Sequence, residues 1–317
     1  MADVMRAAIL HGIGEAPRYG SFPAPVAGEG EAVVTVTAAA LKPFDRWWAK
    51  GLHPASPTAF PQVVGADGVG RLEDGTRVAF FAPVAPYGGM AQRALVRRGM
   101  WFPVRDGADD VTAAALLNPG GAAWKTVVWE GGAGPGKSVL VLGATGASGR
   151  IAVQVAKRQG ARVVAAGRDR AVLEALAGRG ADAVIRLGRP KDEVVEAIAE
   201  HGPYDLVVDY LWGAPAEAAF AALSRGADRR VRYILVGMSA GEAAEIPAMA
   251  LRAAPVEVVG SGANGSPSIE EAAAAFDDML RMAGSGEIVL GEEAVPLADV
   301  ENAWTRPENG RRIVFVP

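Results

Sequence analysis

Gly143, Gly146 and Gly149 follow directly on the apolar run Ser138 to Leu142, and after them Ile151, Ala152, Val155, Ala156 and Gln159 recur at helical spacing. Such a run is the pattern of a strand buried on both faces of a parallel sheet. Glycines at G-x-x-G-x-x-G let the backbone turn sharply. They also let a pyrophosphate approach the next helix, whose unpaired N–H groups and dipole favour negative charge. Arg162 to Ala166 supplies a second strand, so Lys137 to Gly167 reads as a βαβ unit that binds a dinucleotide. The expected contacts are Gly143, Ala144, Thr145, Gly146, Ala147, Ser148 and Gly149. Spacing alone says little in a chain with 40 glycines. The order strand, turn, helix, strand carries the assignment.

The residues after the second strand bear on which dinucleotide binds. An NAD-specific site puts a carboxylate at that strand end, where it holds both ribose hydroxyls and repels a 2′-phosphate. This strand instead ends in Gly167, followed by the guanidinium of Arg168, which can pair with a phosphate; Asp169 reads as the cap of a helix over Ala171 to Ala177. NADP is the expected cofactor. Tyr210, Trp212 and Gly237 follow later strands, on the carboxyl edge where ligands bind in such sheets, and join the expected cofactor contacts.

Composition narrows the partners. At 317 residues, 50% hydrophobic and 21% charged, the chain is long enough for two domains with real cores. A net charge of −4 with interspersed signs offers no face for nucleic acid and no polybasic membrane anchor, which leaves a small molecule as the expected partner. There is no cysteine, which removes disulfides and sulfur-based zinc sites, and three scattered histidines do not suggest a metal site. A metal-free protein is the expectation. The N-terminal segment lacks the apolar core of a signal peptide and no run reaches the ~18 residues of a membrane span, so the cytoplasm is the expected location.

Short strands broken by Gly and Pro fill the stretch from Met5 to about Phe102: Met5 to His11, Ala32 to Ala39, Val63 to Leu72, Arg77 to Phe81 and Met90 to Val96. Phe44 to Lys50 reads as one helical turn carrying the adjacent Trp47 and Trp48. Helices are expected at Val111 to Leu117, behind Asp109 or Asp110, and at Ala122 to Glu130. Strands near 138–142, 162–166, 182–185, 205–210, 231–236 and 256–259 then alternate with helices near 147–159, 169–178, 190–200, 214–224 and 242–252, a complete doubly wound sheet. A helix over Ser268 to Met282 and strand-like Glu287 to Val295 and Ile313 to Val316 return the chain to β character.

This arrangement resembles the medium-chain dehydrogenase/reductase superfamily in its zinc-independent, quinone oxidoreductase-like branch. The resemblance rests on LKPFDRWWAKG at 41–51, FPQVVGADGVGRLEDGTRVAFF at 60–81, YGGMAQRALV at 87–96, PGGAAWKTV at 119–127, VLGATGASGRIAVQVAK at 141–157, YDLVVDYLWG at 204–213 and the ending ENGRRIVFVP. It implies a six-stranded parallel Rossmann sheet in a dinucleotide domain over 119–265. It also implies a GroES-like β domain over 1–118, completed by 266–317. Further implications are NADPH delivering a hydride to a quinone or an α,β-unsaturated carbonyl compound in a cleft between the domains, and a homodimer paired through Val256 to Gly260. An enoyl-thioester or pathway-specific ene reductase and a non-catalytic NADPH-binding protein are the alternatives. Without zinc, hydrogen-bond donors must meet the developing oxyanion. Lys42, His53 and Tyr87 are the candidates for catalysis. At three places the chain departs from the family pattern: Lys42 where asparagine is common, Ala122 where threonine is common, and Leu52-His53 where a tyrosine is common.

Overall fold

The computed structural model describes residues 3–226, 229–262, 267–307 and 310–317. Two compact units emerge, one of residues 1–118 with 267–317 and the other of residues 119–266.

In the first unit the strands are β1 (Val4–Leu10), β2 (Arg18–Pro23), β3 (Glu31–Ala40), β4 (Gln62–Val63), β5 (Asp67–Arg71), β6 (Arg77–Phe81), β7 (Arg93–Arg97) and β8 (Trp101–Pro103), with α1 (Pro43–Ala49) after β3. The stretch read as one strand from Val63 to Leu72 is two, β4 and β5. Gly65 separates them at φ +107°, where a Cβ would lie 2.6 Å from the Met90 nitrogen. Trp48 turns inward onto the core and its Nε1 donates to the Ala55 carbonyl at 2.8 Å, which leaves Trp47 outside.

Helix α2 (Asp110–Trp124) opens on Asp109, whose carboxylate accepts the Thr112 N–H at 2.8 Å. It contains Pro119 and passes into a π-helical turn, Lys125–Trp129, so the two helices expected here are continuous. Burial on several sides, at Ala113 to Leu116, Ala123, Trp124 and Val127, holds the backbone together where local propensity breaks it.

The second unit continues with β9 (Ser138–Leu142), α3 (Ala147–Arg158), β10 (Arg162–Gly167), α4 (Arg170–Ala177), β11 (Ala183–Arg186), α5 (Lys191–Glu200), β12 (Leu206–Asp209), α6 (Gly213–Leu223), β13 (Val231–Leu235), α7 (Ala248–Ala253) and β14 (Val256–Gly260). The six strands are all parallel in the order β11-β10-β9-β12-β13-β14, a doubly wound sheet of Rossmann type, and every residue of β9 and β12 is buried. Helix α7 is shorter than the pattern suggested, because it starts only after Pro247.

The chain then rejoins the first unit through α8 (Ile269–Gly284), β15 (Glu292–Pro296), α9 (Val300–Trp304) and β16 (Arg312–Val316). Ser268 and Glu271 form a capping box at the start of α8, and Phe276 packs edge-on against Phe102 with ring centroids 5.6 Å apart. Strand β16 pairs antiparallel with β3, Val314 opposite Ala40, so the C-terminal segment completes the seven-stranded sheet.

One buried ionic cluster locks α1 to that sheet. Lys42 is 1% exposed, and its Nζ donates to Asp67 Oδ1 at 2.7 Å and to the Ala40 carbonyl at 2.9 Å, with Asp45 Oδ2 at 3.3 Å. Asp45 also accepts the Lys42 and Ala66 backbone N–H groups at 2.9 and 3.1 Å, a structural cap. All three ammonium protons are thereby directed at protein oxygens. Lys42 has no donor left for a substrate oxyanion, and its expected catalytic role is corrected to a structural one. Burial alone would lower the Lys42 pKa, but the carboxylates of Asp45 and Asp67 outweigh it and hold it above the ordinary 10.5. Because the folded-state pKa is raised, this contribution to stability is complete below about pH 10.5 and is lost as pH rises through the folded value. Lys42→Met should destabilise the protein by about 3–5 kcal/mol, since it strands buried carboxylates. In denaturant melts across alkaline pH, the variant should also lose part of the wild-type decline in stability.

Candidate functional site

The turn between β9 and α3 is built around its three glycines, each for its own reason. Gly143 stands at φ +88°, closed to most side chains. A Cβ at Gly149 would lie 2.2 Å from the Gly143 carbonyl oxygen, so α3 begins in backbone contact with the turn that precedes it. Gly146 needs neither: its backbone is extended, φ −78° and ψ 168°, and a Cβ would meet Gly143 O at an ordinary 3.4 Å. What Gly146 leaves is open space at the N-cap, with no side chain to satisfy the first-turn amides of Ala147, Ser148 and Gly149. Thr145, Gly146, Ala147 and Ser148 form the accessible rim. The pyrophosphate of a dinucleotide fits this cradle, which offers unpaired donors, the positive end of a 12-residue helix and no side chain in the way. Ala144 is corrected to a packing residue, being fully buried with its N–H donated to the Ala166 carbonyl at 2.9 Å.

Gly167, the last residue of β10, is required by Thr145, whose Cγ2 would lie 2.4 Å from an added Cβ. Beyond it Arg168 is exposed, and Asp169 caps α4 by accepting the Val172 N–H at 3.1 Å. The strand end therefore presents a guanidinium while the nearby carboxylate is engaged with its own helix.

Across the sheet, the end of β12 carries a residue that the sequence reading passed over. Asp209 is fully buried and accepts hydrogen bonds from the Tyr233 hydroxyl at 2.6 Å, the Leu211 N–H at 2.7 Å and the Trp212 N–H at 3.1 Å. Burial raises its pKa, opposed by these same bonds. The signal was present, an acid closing the apolar run of YDLVVDYLWG. Its carboxylate holds the turn 210–212 in a shape in which Trp212 takes φ +56° and ψ −161°, a conformation that side chains rarely adopt.

The Tyr210 Cβ lies 3.2 Å from where a Gly143 Cβ would be, and the Tyr210 carbonyl 2.8 Å from that of Gly237, so these expected contacts do meet at one carboxyl edge. The Tyr210 hydroxyl, with its pKa pushed up by burial, sits 3.4 Å from Thr126 Oγ1 on the π-helical turn. The Trp212 ring packs edge-on to Tyr233, centroids 6.4 Å apart, and is partly taken up by the core.

In the first unit, His53 is held by its own local contacts. Its ring lies edge-on to Phe44 of α1, centroids 4.9 Å apart, and its Nδ1 accepts the Ala55 N–H at 3.1 Å. That bond puts the proton of the neutral ring on Nε2, which makes Nε2 a donor. Tyr87 is different. Its half-buried ring stands edge-on to Phe22, centroids 6.0 Å apart, and packs on the β1–β2–β4 sheet.

Adding a methyl group at two of the glycines separates packing from open space. Gly149→Ala should destabilise the protein by about 1–3 kcal/mol, seen as a lower Tm, because a backbone oxygen occupies the space. Gly146→Ala should leave Tm essentially unchanged.

Comparison with known proteins bears on the class. The sequence model of the zinc-binding dehydrogenase family matches residues 147–278. This chain has no cysteine, and its described residues hold no group of three His, Asp or Glu side chains placed to bind a metal ion. A probable NADPH-dependent quinone reductase of Emericella nidulans is 26% identical, over 95% of this chain and 96% of that protein. A trans-enoyl reductase of Aspergillus terreus is 28% identical over 44% of this chain and 38% of its own length. The quinone oxidoreductase of Thermus thermophilus, solved also with NADPH, superposes with a TM-score of 0.82 at 28% identity, covering 99% of this chain and all of that one. Over nearly its whole length, then, the chain is similar to proteins of the quinone oxidoreductase-like branch of the medium-chain dehydrogenase/reductase superfamily.

Proposed function

We propose that this protein is a zinc-independent, NADPH-dependent oxidoreductase that transfers a hydride to a quinone or an α,β-unsaturated carbonyl compound. The observation that carries the reading is the second unit's carboxyl edge: an open glycine cradle at the start of α3 lies beside a strand end that offers Arg168 in place of a carboxylate. The Emericella and Thermus relatives support it.

When bound, NADPH supplies a hydride at nicotinamide C4. The residues of this chain hold and orient. The first-turn amides of α3 bind the pyrophosphate, Arg168 pairs with the 2′-phosphate, and Asp209 braces the turn that carries Tyr210 and Trp212. His53 donates from Nε2 to the oxyanion that develops on the acceptor, its ring seated against Phe44. The buried Lys42 cluster keeps α1, and with it Phe44, in place.

The Aspergillus relative favours an enoyl thioester as the second candidate acceptor. No helix among the described residues is long and apolar enough to cross a membrane, and a cytoplasmic location fits the reading. The edge strand β14, with Val258 46% exposed, supports a homodimer.

Following NADPH absorbance with a panel of quinones, enones and enoyl thioesters tests the function. Turnover of at least one quinone or enone is expected. Tight NADPH binding with no turnover on any of them would point instead to a non-catalytic cofactor-binding protein. Light scattering at micromolar concentration should give twice the 32.7 kDa chain mass, and a monomer would remove the β14 pairing.

A further inference from the structure

Four arginines gather where β10 and β11 end, and the fold treats them in two ways. Arg170 pairs with Glu174 at 2.7 Å, one turn along α4, and Arg189 lies 4.0 Å from Glu193 at the start of α5. Asp169 is engaged in capping α4. Arg168 and Arg186 are exposed, and neither makes a hydrogen bond or ion pair with the described residues. The acids nearest in sequence are therefore committed elsewhere, and two guanidinium groups stand uncompensated on adjacent strands.

Register brings those two together. Strands β10 and β11 are parallel with Gly167 opposite Arg186, so Arg168 is the residue immediately beyond the pair that Arg186 closes. Adjacent strands lie about 4.8 Å apart. Along β11, Ile185 enters the core while Val184 and Arg186 alternate outward. Arg186 lines a groove of about 400 Å³ with Arg170, Leu173 and Arg189, so it stands on the α4 side of the sheet. Two exposed guanidinium groups without a carboxylate partner, at the ends of neighbouring strands, suit an anionic ligand. A phosphate monoester, with about −1.5 to −2 charge and three acceptor oxygens, can accept from two guanidinium groups at once.

We propose that Arg186 is a second specificity-determining residue for the cofactor, bracketing the adenosine 2′-phosphate together with Arg168 from the neighbouring strand. This inference rests on the NADPH reading above.

Isothermal titration calorimetry of the full chain with NADPH, NADH and 2′,5′-ADP tests it, on wild type, Arg168→Ala, Arg186→Ala and the control Arg189→Ala. Either single variant should weaken NADPH and 2′,5′-ADP by tenfold or more, change NADH by no more than about twofold, and flatten the salt dependence of NADPH affinity. Arg189→Ala should change none of these, and Tm should be the same throughout. If wild type and Arg168→Ala behave as expected but Arg186→Ala binds NADPH like wild type, or loses NADH equally, the inference falls and the proposed function stands. A wild-type protein that binds neither NADPH nor 2′,5′-ADP would overturn the proposed function itself, and the inference with it.

Discussion

The Gly143 carbonyl oxygen occupies the place where a Cβ of residue 149 would be. That contact seats the first turn of α3 directly against the end of β9, and the anion-binding capacity of the second unit follows from it. The helix start is anchored from behind by backbone, and no side chain caps its first-turn amides at the N-cap. The fully buried β9, at the centre of the sheet, makes the anchor rigid, and the turns after β10 and β12 are arranged around it.

Buried carboxylates complete both units, and each works by occupying donors. Asp209 gathers two backbone N–H groups and a tyrosine hydroxyl, enough to hold Trp212 in an unfavourable backbone conformation. Asp67 and Asp45 gather the Lys42 ammonium and two backbone amides, and so keep α1 at the end of β3. A cation that reads in sequence as a reagent thus becomes a fastener. The same accounting separates the arginines at the end of β10 and β11: those with a carboxylate in reach are structural, and those without one remain open to a ligand.

The glycine spacing, the apolar run before it and the helical period after it were enough to place α3, β9 and β10 within a residue or two, because a two-sided buried strand and an amphipathic helix write themselves into local pattern. The alternation that follows was legible for the same reason. Less so were β2, whose RYGSFP has no alternation to read, and the Pro119 segment, where turn residues sit inside one helix held by burial from several directions. Tyr87 could not be assigned from its neighbours in the chain, since the ring it packs on, Phe22, comes from a distant strand.

By itself, then, the sequence determined the class of sheet, the glycine cradle, the absence of cysteine ligands and the basic character of the β10 end. Each of these is a property of residue type and spacing along a few consecutive positions. Only the tertiary structure decided which charged and polar side chains are free to act. Lys42 and Asp67 are 25 positions apart and meet at 2.7 Å, His53 acquires a defined donor nitrogen from the turn at Ala55, and Arg186 comes opposite Gly167 through parallel register. Whether an ionic group is a reagent or a fastener depends on which partners lie within hydrogen-bonding distance, and the fold brings those partners in from remote parts of the chain.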